Sequence, residues 1–323
     1  MSLSKKTSYL FFITVVLHIT ASLFISMLLL RGVNISPVTE LIFSELLILI
    51  PGMAFLAVQR EQAGELLRIR RIKVSTIFLT ILFTYLLMPL ISLVNIISQL
   101  FVENEVLGAF SQMTSVNPLI LLLLVGIYGP LCEEFVFRGL IFGGYRMTGR
   151  ILMSAFVSGL LFGLLHLNIN QFCYAFLLGV VFALLNEATG SVVSSAISHI
   201  IVNSHNVLLL IGSMKMYQMM GLDLDEMMKN EVTFDQKLMM IGVFLVISLI
   251  TTALATIVFI AICKRENTEE HLKALFTREK ISKEEEQSEK QPIASMALYI
   301  SIATCLFVMF FLEPMIEWFT SNP

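Results

Sequence analysis

The chain has 323 residues, of which 57% are hydrophobic and 14% charged, with a formal net charge of -3 and a mean hydropathy of +0.85. This is too apolar for a soluble domain of that size, and it points to a polytopic membrane protein in which charge acts by location rather than by sum. No basic surface for nucleic acid is suggested. Cys132, Cys173, Cys263 and Cys305 lie singly in apolar runs, which excludes a disulfide framework or a cysteine-based zinc site.

In chain order, Lys5 and Lys6 precede a first apolar run over 9–30, long enough for roughly 30 Å of hydrocarbon and too long for a signal peptide. A second run, 39–58, contains Glu40, Glu45 and the helix-bending Pro51, and the two glutamates are expected at a loop or at the mouth of a cavity. The segment QREQAGELLRIRRIK follows, with Arg60, Arg68, Arg70, Arg71 and Lys73. A juxtamembrane loop this basic belongs on the cytoplasmic side and can touch anionic lipid. The third span covers 75–101 and leads to an acidic outer loop with Glu103 and Glu105. The fourth, 118–145, is interrupted by Gly129 and Pro130 and ends among Arg138, Arg146 and Arg150. Spans five to seven, 151–167, 171–185 and 192–212, are joined by the short connections LNIN and NEATGS, so they are expected as antiparallel neighbours.

An acidic loop over 213–236 begins with the Met-rich MKMYQMM and is placed outside. The eighth span is 237–263, and the polar segment from Lys264 to Gln291 has seven Lys and Arg, which puts it inside as a solvated helix or connector. A last span over 293–312 precedes a tail with Glu313, Glu317 and Trp318. The reading is all-α: a transmembrane helical bundle of about nine spans in the cell membrane with its N-terminus cytoplasmic, an orientation that satisfies every basic loop together. It divides into N-terminal spans over 1–116, a core over 117–212, an outer loop and eighth span over 213–263, a charged loop over 264–292, and a terminal span and tail over 293–323. No repeat of the inverted-transporter kind is visible.

Ionisable groups at membrane depth are costly and are kept where they meet one another or line a wet cavity. Here Glu133, Glu134, Arg138, His166, His199 and Asn203 fall within apolar spans. At about 100° per residue, Glu134 and Arg138 share a helix face, while Glu133 points roughly 140° from Arg138, so the two carboxylates should do different work. Glu134 has a cation to hold it ionised, whereas Glu133 is the candidate general base toward water. Pro130 should kink the helix and open space beside Glu133. Phe162 and His166 share a face, and Gly159 and Gly163 should admit a neighbouring helix that brings His166 toward Glu133. Ser195, His199, Asn203 and Asn206 form a stripe able to donate to a carbonyl oxygen gaining charge, or to hold a substrate backbone. His18 and His205 are read as structural, and Met214 to Met220 as apolar packing.

The segments Glu133-Glu134-Phe135-Val136-Phe137-Arg138, Phe162-Gly163-Leu164-Leu165-His166 and His199-Ile200-Ile201-Val202-Asn203 resemble the EExxxR, FxxxH and HxxxN/D motifs of the CAAX protease and bacteriocin-processing (CPBP, or Abi) family. Pro130 and Thr189-Gly190-Ser191 fit the same pattern, and the resemblance covers about 117–210. It implies an intramembrane endopeptidase with a helical bundle around a conical, water-filled cavity. It also implies that Glu133 activates water with help from His166, that His199 and Asn203 stabilise the oxyanion, and that Glu134 with Arg138 braces the site or contacts substrate. If a metal is used, the resemblance points to Glu133, His166 and His199 as ligands and to zinc as the ion. With no HExxH present, a glutamate-activated water is the favoured reading. The expected partners are the lipid bilayer, a peptide or protein substrate, and a protein docking on the 264–292 loop. Two other readings are kept: a non-catalytic relative binding a peptide or partner in immunity or regulation, and a transporter using the carboxylates for proton coupling. Both glutamates and both histidines favour the first over a binding protein, and the missing repeat weighs against transport.

Overall fold

The computed structural model describes residues 1–102, 113, 116–221, 232–276, 292–312 and 315, and among these there is no β-strand. Among the described residues, seven helices are long and apolar enough to cross a membrane: α1 (Leu3–Leu30), α2 (Pro37–Val58), α4 (Val74–Ser98), α5 (Pro118–Arg146), α7 (Ile169–Thr189), α8 (Val192–Met219) and α9 (Phe234–Glu266). Two shorter apolar helices, α6 (Ile151–Leu165) and α11 (Met296–Leu312), complete the nine expected runs. Two short polar-end helices, α3 (Ala63–Leu67) and α10 (Glu269–Phe276), lie between spans. The fold is thus a polytopic helical bundle. The expected groups at Glu103, Glu105, Asp223, Asp225, Glu226, Glu231, Glu313, Glu317, Trp318 and residues 277–291 lie outside the described residues.

The helix starts follow local chemistry. Ser36, Asn117, Asn168, Ser191, Thr233 and Ser295 each cap a helix by accepting a backbone N–H, and Thr233 forms a full capping box with Gln236. Several boundaries differ from expectation. The first span begins at Leu3 rather than near Tyr9, and the sixth runs on to Thr189. The seventh does not stop near Gly212 but continues to Met219, so the Met-rich stretch up to there is helix rather than loop. The charged segment after span eight begins as helix, one of the two forms expected of it: Asn267 takes a left-handed turn at φ 59° and α10 follows two residues later.

Lipid tails are as apolar as leucine, so close packing and interhelical hydrogen bonds must hold the bundle together. The largest core cluster joins the first half of α1 to α5, α6 and α11 through Phe11, Phe137, Tyr145, Leu161, Phe162 and Cys305. Ser8 and Tyr145 share a 3.0 Å hydrogen bond there. The α6–α7 crossing depends on glycine, because a β-carbon on Gly179 would sit 2.5 Å from Gly159 Cα and one on Gly163 would sit 3.0 Å from Phe172 O. This corrects one expectation: the Gly159 and Gly163 stripe admits α7, not the glutamate helix. The contact between α6 and α5 is made instead by Phe162, whose ring meets Phe137 at 5.1 Å, and by Ser158, which donates to Phe137 O at 3.1 Å.

Loops expected on the same side of the membrane meet at the same end of the bundle. At one end Ser4 donates to Pro292 O, Lys6 to Gln59 and Ser191 to Arg70 O, while Lys73 and Thr76 bond Arg265 and Glu266. At the other end Asn170 donates to Asn95 and Ser98, and Lys237 donates to Gln99 O.

Candidate active site

The site is built on an irregular stretch of α5. Its α-helical turns alternate with π-helical segments at Leu122–Tyr128 and Phe135–Phe142, and the α-helical turn Gly129–Glu134 between them carries both glutamates. Wide π turns free backbone groups and recur at functional positions. Pro130, which has no N–H to donate, falls in the first turn after the upper π segment.

Glu134 and Arg138 form the expected i,i+4 pair, with Nη1 of Arg138 3.1 Å from Oε1 of Glu134 and both side chains almost fully buried. The guanidinium also stacks on aromatic rings, 4.2 Å from the centroid of Phe162 and 5.3 Å from that of Phe182. His199, on α8, lies between the two carboxyls. Its Nδ1 is 3.0 Å from Glu134 Oε1, and its Nε2 is 3.4 Å from Glu133 Oε2. The result is a line of contacts, Arg138 to Glu134 to His199 to Glu133, that crosses from α5 to α8 and back. The two carboxylates differ in access: the Glu133 side chain is 16% exposed and that of Glu134 1%.

His166 caps the C-terminal end of α6, and its Nδ1 donates to Phe162 O at 2.9 Å. A carbonyl only accepts, so Nδ1 carries the proton and Nε2 is the nitrogen open to another. The Phe162 ring stands edge-on to both imidazoles, 5.1 Å from His166 and 5.7 Å from His199. His166 therefore joins the cluster through Phe162, with no direct hydrogen bond to Glu133 among the described residues.

Asn203 lies one turn beyond His199 on α8. Its Nδ2 donates to Val125 O at 3.2 Å, and Ser204 donates to Gly126 O at 3.2 Å, so this part of the polar stripe ties α8 to the first π segment of α5. Ser195 is buried and bonds its own helix at Val192 O, while Asn206 is exposed. His205 packs edge-on against Tyr85 at 5.8 Å, in keeping with a structural role.

Among the described residues, no group of three or more His, Cys, Asp or Glu side chains could hold a metal ion. Glu133, His166 and His199 are thus not disposed as a zinc-binding set, and no step below is routed through a metal.

Sequence reasoning missed two features. One is Phe182 on α7, which lies against both Arg138 and His199; an aromatic in an apolar run carries no signal that would single it out. The other is an ion cluster at the basic end of the bundle. Glu187 is 1% exposed and is met by Arg68 at 2.7 Å, Arg146 at 2.6 Å and His271 at 2.7 Å. The signal for it was a lone glutamate in NEATGS on the side assigned to the basic loops.

Residues 115–205 match the family model Type II CAAX prenyl endopeptidase Rce1-like. The matched stretch contains all six candidate residues, and it bears out the resemblance carried by the three motifs. No curated protein and no solved structure matches the chain. Together with the seven long apolar helices, the family match makes this a multi-pass membrane protein.

Proposed function

We propose that this chain, whose residues 115–205 match the CAAX endopeptidase family, is an intramembrane endopeptidase that uses a glutamate-activated water on a membrane-associated protein or peptide. Its catalytic core is 117–212. The observation that carries the reading is the line from Arg138 through Glu134 and His199 to Glu133, made by buried polar side chains that would otherwise be costly at membrane depth. A reactive group oriented by a second group, itself held by a third, is the general architecture of an activated catalytic centre.

In this reading Glu133, the more open carboxylate, takes a proton from water as the water oxygen attacks the scissile carbonyl carbon. Glu134, neutralised by Arg138, fixes His199 through Nδ1 and aims its Nε2 at the reacting region. This requires the imidazolium form of His199, whose Nε2–H is offered to the oxyanion together with the second amide hydrogen of Asn203. Collapse of the tetrahedral intermediate breaks the C–N bond, and the departing amine takes the proton from Glu133. His166, with Nε2 free to accept, serves as the second proton carrier.

The end of the bundle bearing Arg68, Arg70, Arg71, Arg146 and Lys264 is assigned to the cytoplasm, which places the N-terminus there. A prenylated peptide ending in a CAAX sequence is the first substrate to try, because the matched family is named for it. The deciding experiment is Glu133→Gln in purified, reconstituted protein. Cleavage should be abolished while the unfolding midpoint stays at the wild-type value. Cleavage at the wild-type rate would remove Glu133 as the base, and no cleavage by the wild-type protein would leave a non-catalytic peptide-binding membrane protein as the better reading.

A further inference from the structure

Glu45, on α2, lies outside the matched segment, and the line of contacts just described does not use it. Yet α2 packs against the glutamate-bearing turn of α5. A β-carbon on Gly129 would sit 3.2 Å from Glu45 Oε1 and 3.6 Å from its Cδ, so the carboxyl lies directly on Gly129. Gly129 is one helical turn before Glu133. Helical side chains lean back toward the N-terminus and cover the preceding turn, which directs Glu133 over that same glycine. Glu45 on α2 and Glu133 on α5 thus both border Gly129.

The second oxygen of Glu45, Oε2, is buried and has no hydrogen-bond partner among the described residues. Such an atom is costly to keep unless something donates to it. Glu133 shows the matching feature, since His199 faces its Oε2 and leaves Oε1 for another donor. Two acceptors converging from different helices call for a small molecule with two donor hydrogens, and water is the smallest.

We infer that Glu45 is a positioning residue of the proposed peptidase: with Glu133 it grips the two hydrogens of the nucleophilic water and turns the oxygen lone pairs toward the scissile carbonyl. The inference rests on the peptidase reading and adds a residue from a helix that the family motifs do not include. It also accounts for Gly129, because any side chain there would push into the Glu45 carboxyl.

The test compares Glu45→Gln, Glu45→Leu and Glu133→Gln in the full chain, reconstituted in vesicles and assayed on a quenched-fluorescent prenylated CAAX peptide, with thermal unfolding measured alongside. Glu45→Gln keeps one acceptor oxygen and the side-chain shape, and it should retain part of the turnover. Glu45→Leu should lower kcat by about 100-fold with little change in KM, the scale expected when a reactant is misplaced. It should not lower the unfolding midpoint, because Glu45 Oε2 has no hydrogen bond to another described residue to lose. A wild-type kcat in Glu45→Leu, or a loss of kcat accompanied by a lower unfolding midpoint, overturns the inference. The Glu133→Gln arm separates the two failures. Lost turnover there with normal turnover in Glu45→Leu removes Glu45 alone. Equal cleavage by Glu133→Gln and wild type removes Glu133 as the base and Glu45 with it, and no cleavage by the wild-type protein removes the peptidase reading.

Discussion

His199 and Glu134 are joined across two helices by a 3.0 Å contact between Nδ1 and Oε1, and the same carboxyl oxygen lies 3.1 Å from Arg138. One buried oxygen thus serves as the hub between a cation and an imidazole. Removing either partner strands a charge in the protein interior, and breaking such a pair costs about 3–5 kcal/mol. Glu134→Gln should therefore lower the unfolding midpoint in detergent sharply. The double variant Glu134→Gln with Arg138→Met should recover a large part of that loss, since neither charge is then left alone. A double variant less stable than Glu134→Gln would show that the charge of Arg138 is needed for something besides this pair.

Replacing His166 with alanine is expected to reduce kcat by about 10²- to 10⁴-fold, the usual range for a general acid–base group. The only hydrogen bond of its side chain among the described residues is to the carbonyl one turn earlier in its own helix, so the fold should tolerate the change. Kinetics on the prenylated peptide together with an unfolding curve would check both halves. Normal turnover in a folded His166→Ala protein would remove it from the proton path.

Asn203→Ala separates two roles. Loss of the Nδ2 bond to Val125 O should cost stability of about 1 kcal/mol. Loss of an oxyanion donor should cost about 2.7 to 4 kcal/mol in kcat with KM little changed. Measuring both quantities in one preparation decides whether the amide is a helix tie only, in which case kcat stays near wild type.

At the basic end of the bundle, Glu187 holds Arg68, Arg146 and His271 together, and His271 is the residue by which α10 reaches it. Glu187→Gln should free α10 and lower stability by about 3–5 kcal/mol, because the arginines lose their buried counter-charge. Limited proteolysis should then cut within 264–276 at protease levels that leave wild type intact. Unchanged proteolysis would mean that Thr268, which donates to Ala188 O, is enough to hold the segment.

A strong chelator is expected to leave turnover unchanged, because Glu133, His166 and His199 do not gather as ligands. Metal analysis of the purified protein and the rate after dialysis would test this. A chelator-sensitive rate restored by zinc alone would overturn the glutamate-activated water.

The helices and the chemistry to look for were already readable in the order of the residues. A bilayer leaves few options for a run of about 20 apolar residues, so the nine runs were legible from length and composition, with errors confined to ends such as Met219. The i,i+4 pairing of Glu134 with Arg138 was legible too, since helix geometry fixes it within one element. What meets across elements came from the packing of the helices. Gly159 and Gly163 could have admitted any helix, and it is α7 that enters. His199 could have faced either glutamate and instead lies between both. Glu45 and Glu187 looked like loop or mouth residues, because the apolar runs around them are silent about which neighbour each one faces. Helical periodicity states which residues share a face, but the partner of that face is set by packing between segments far apart in the chain.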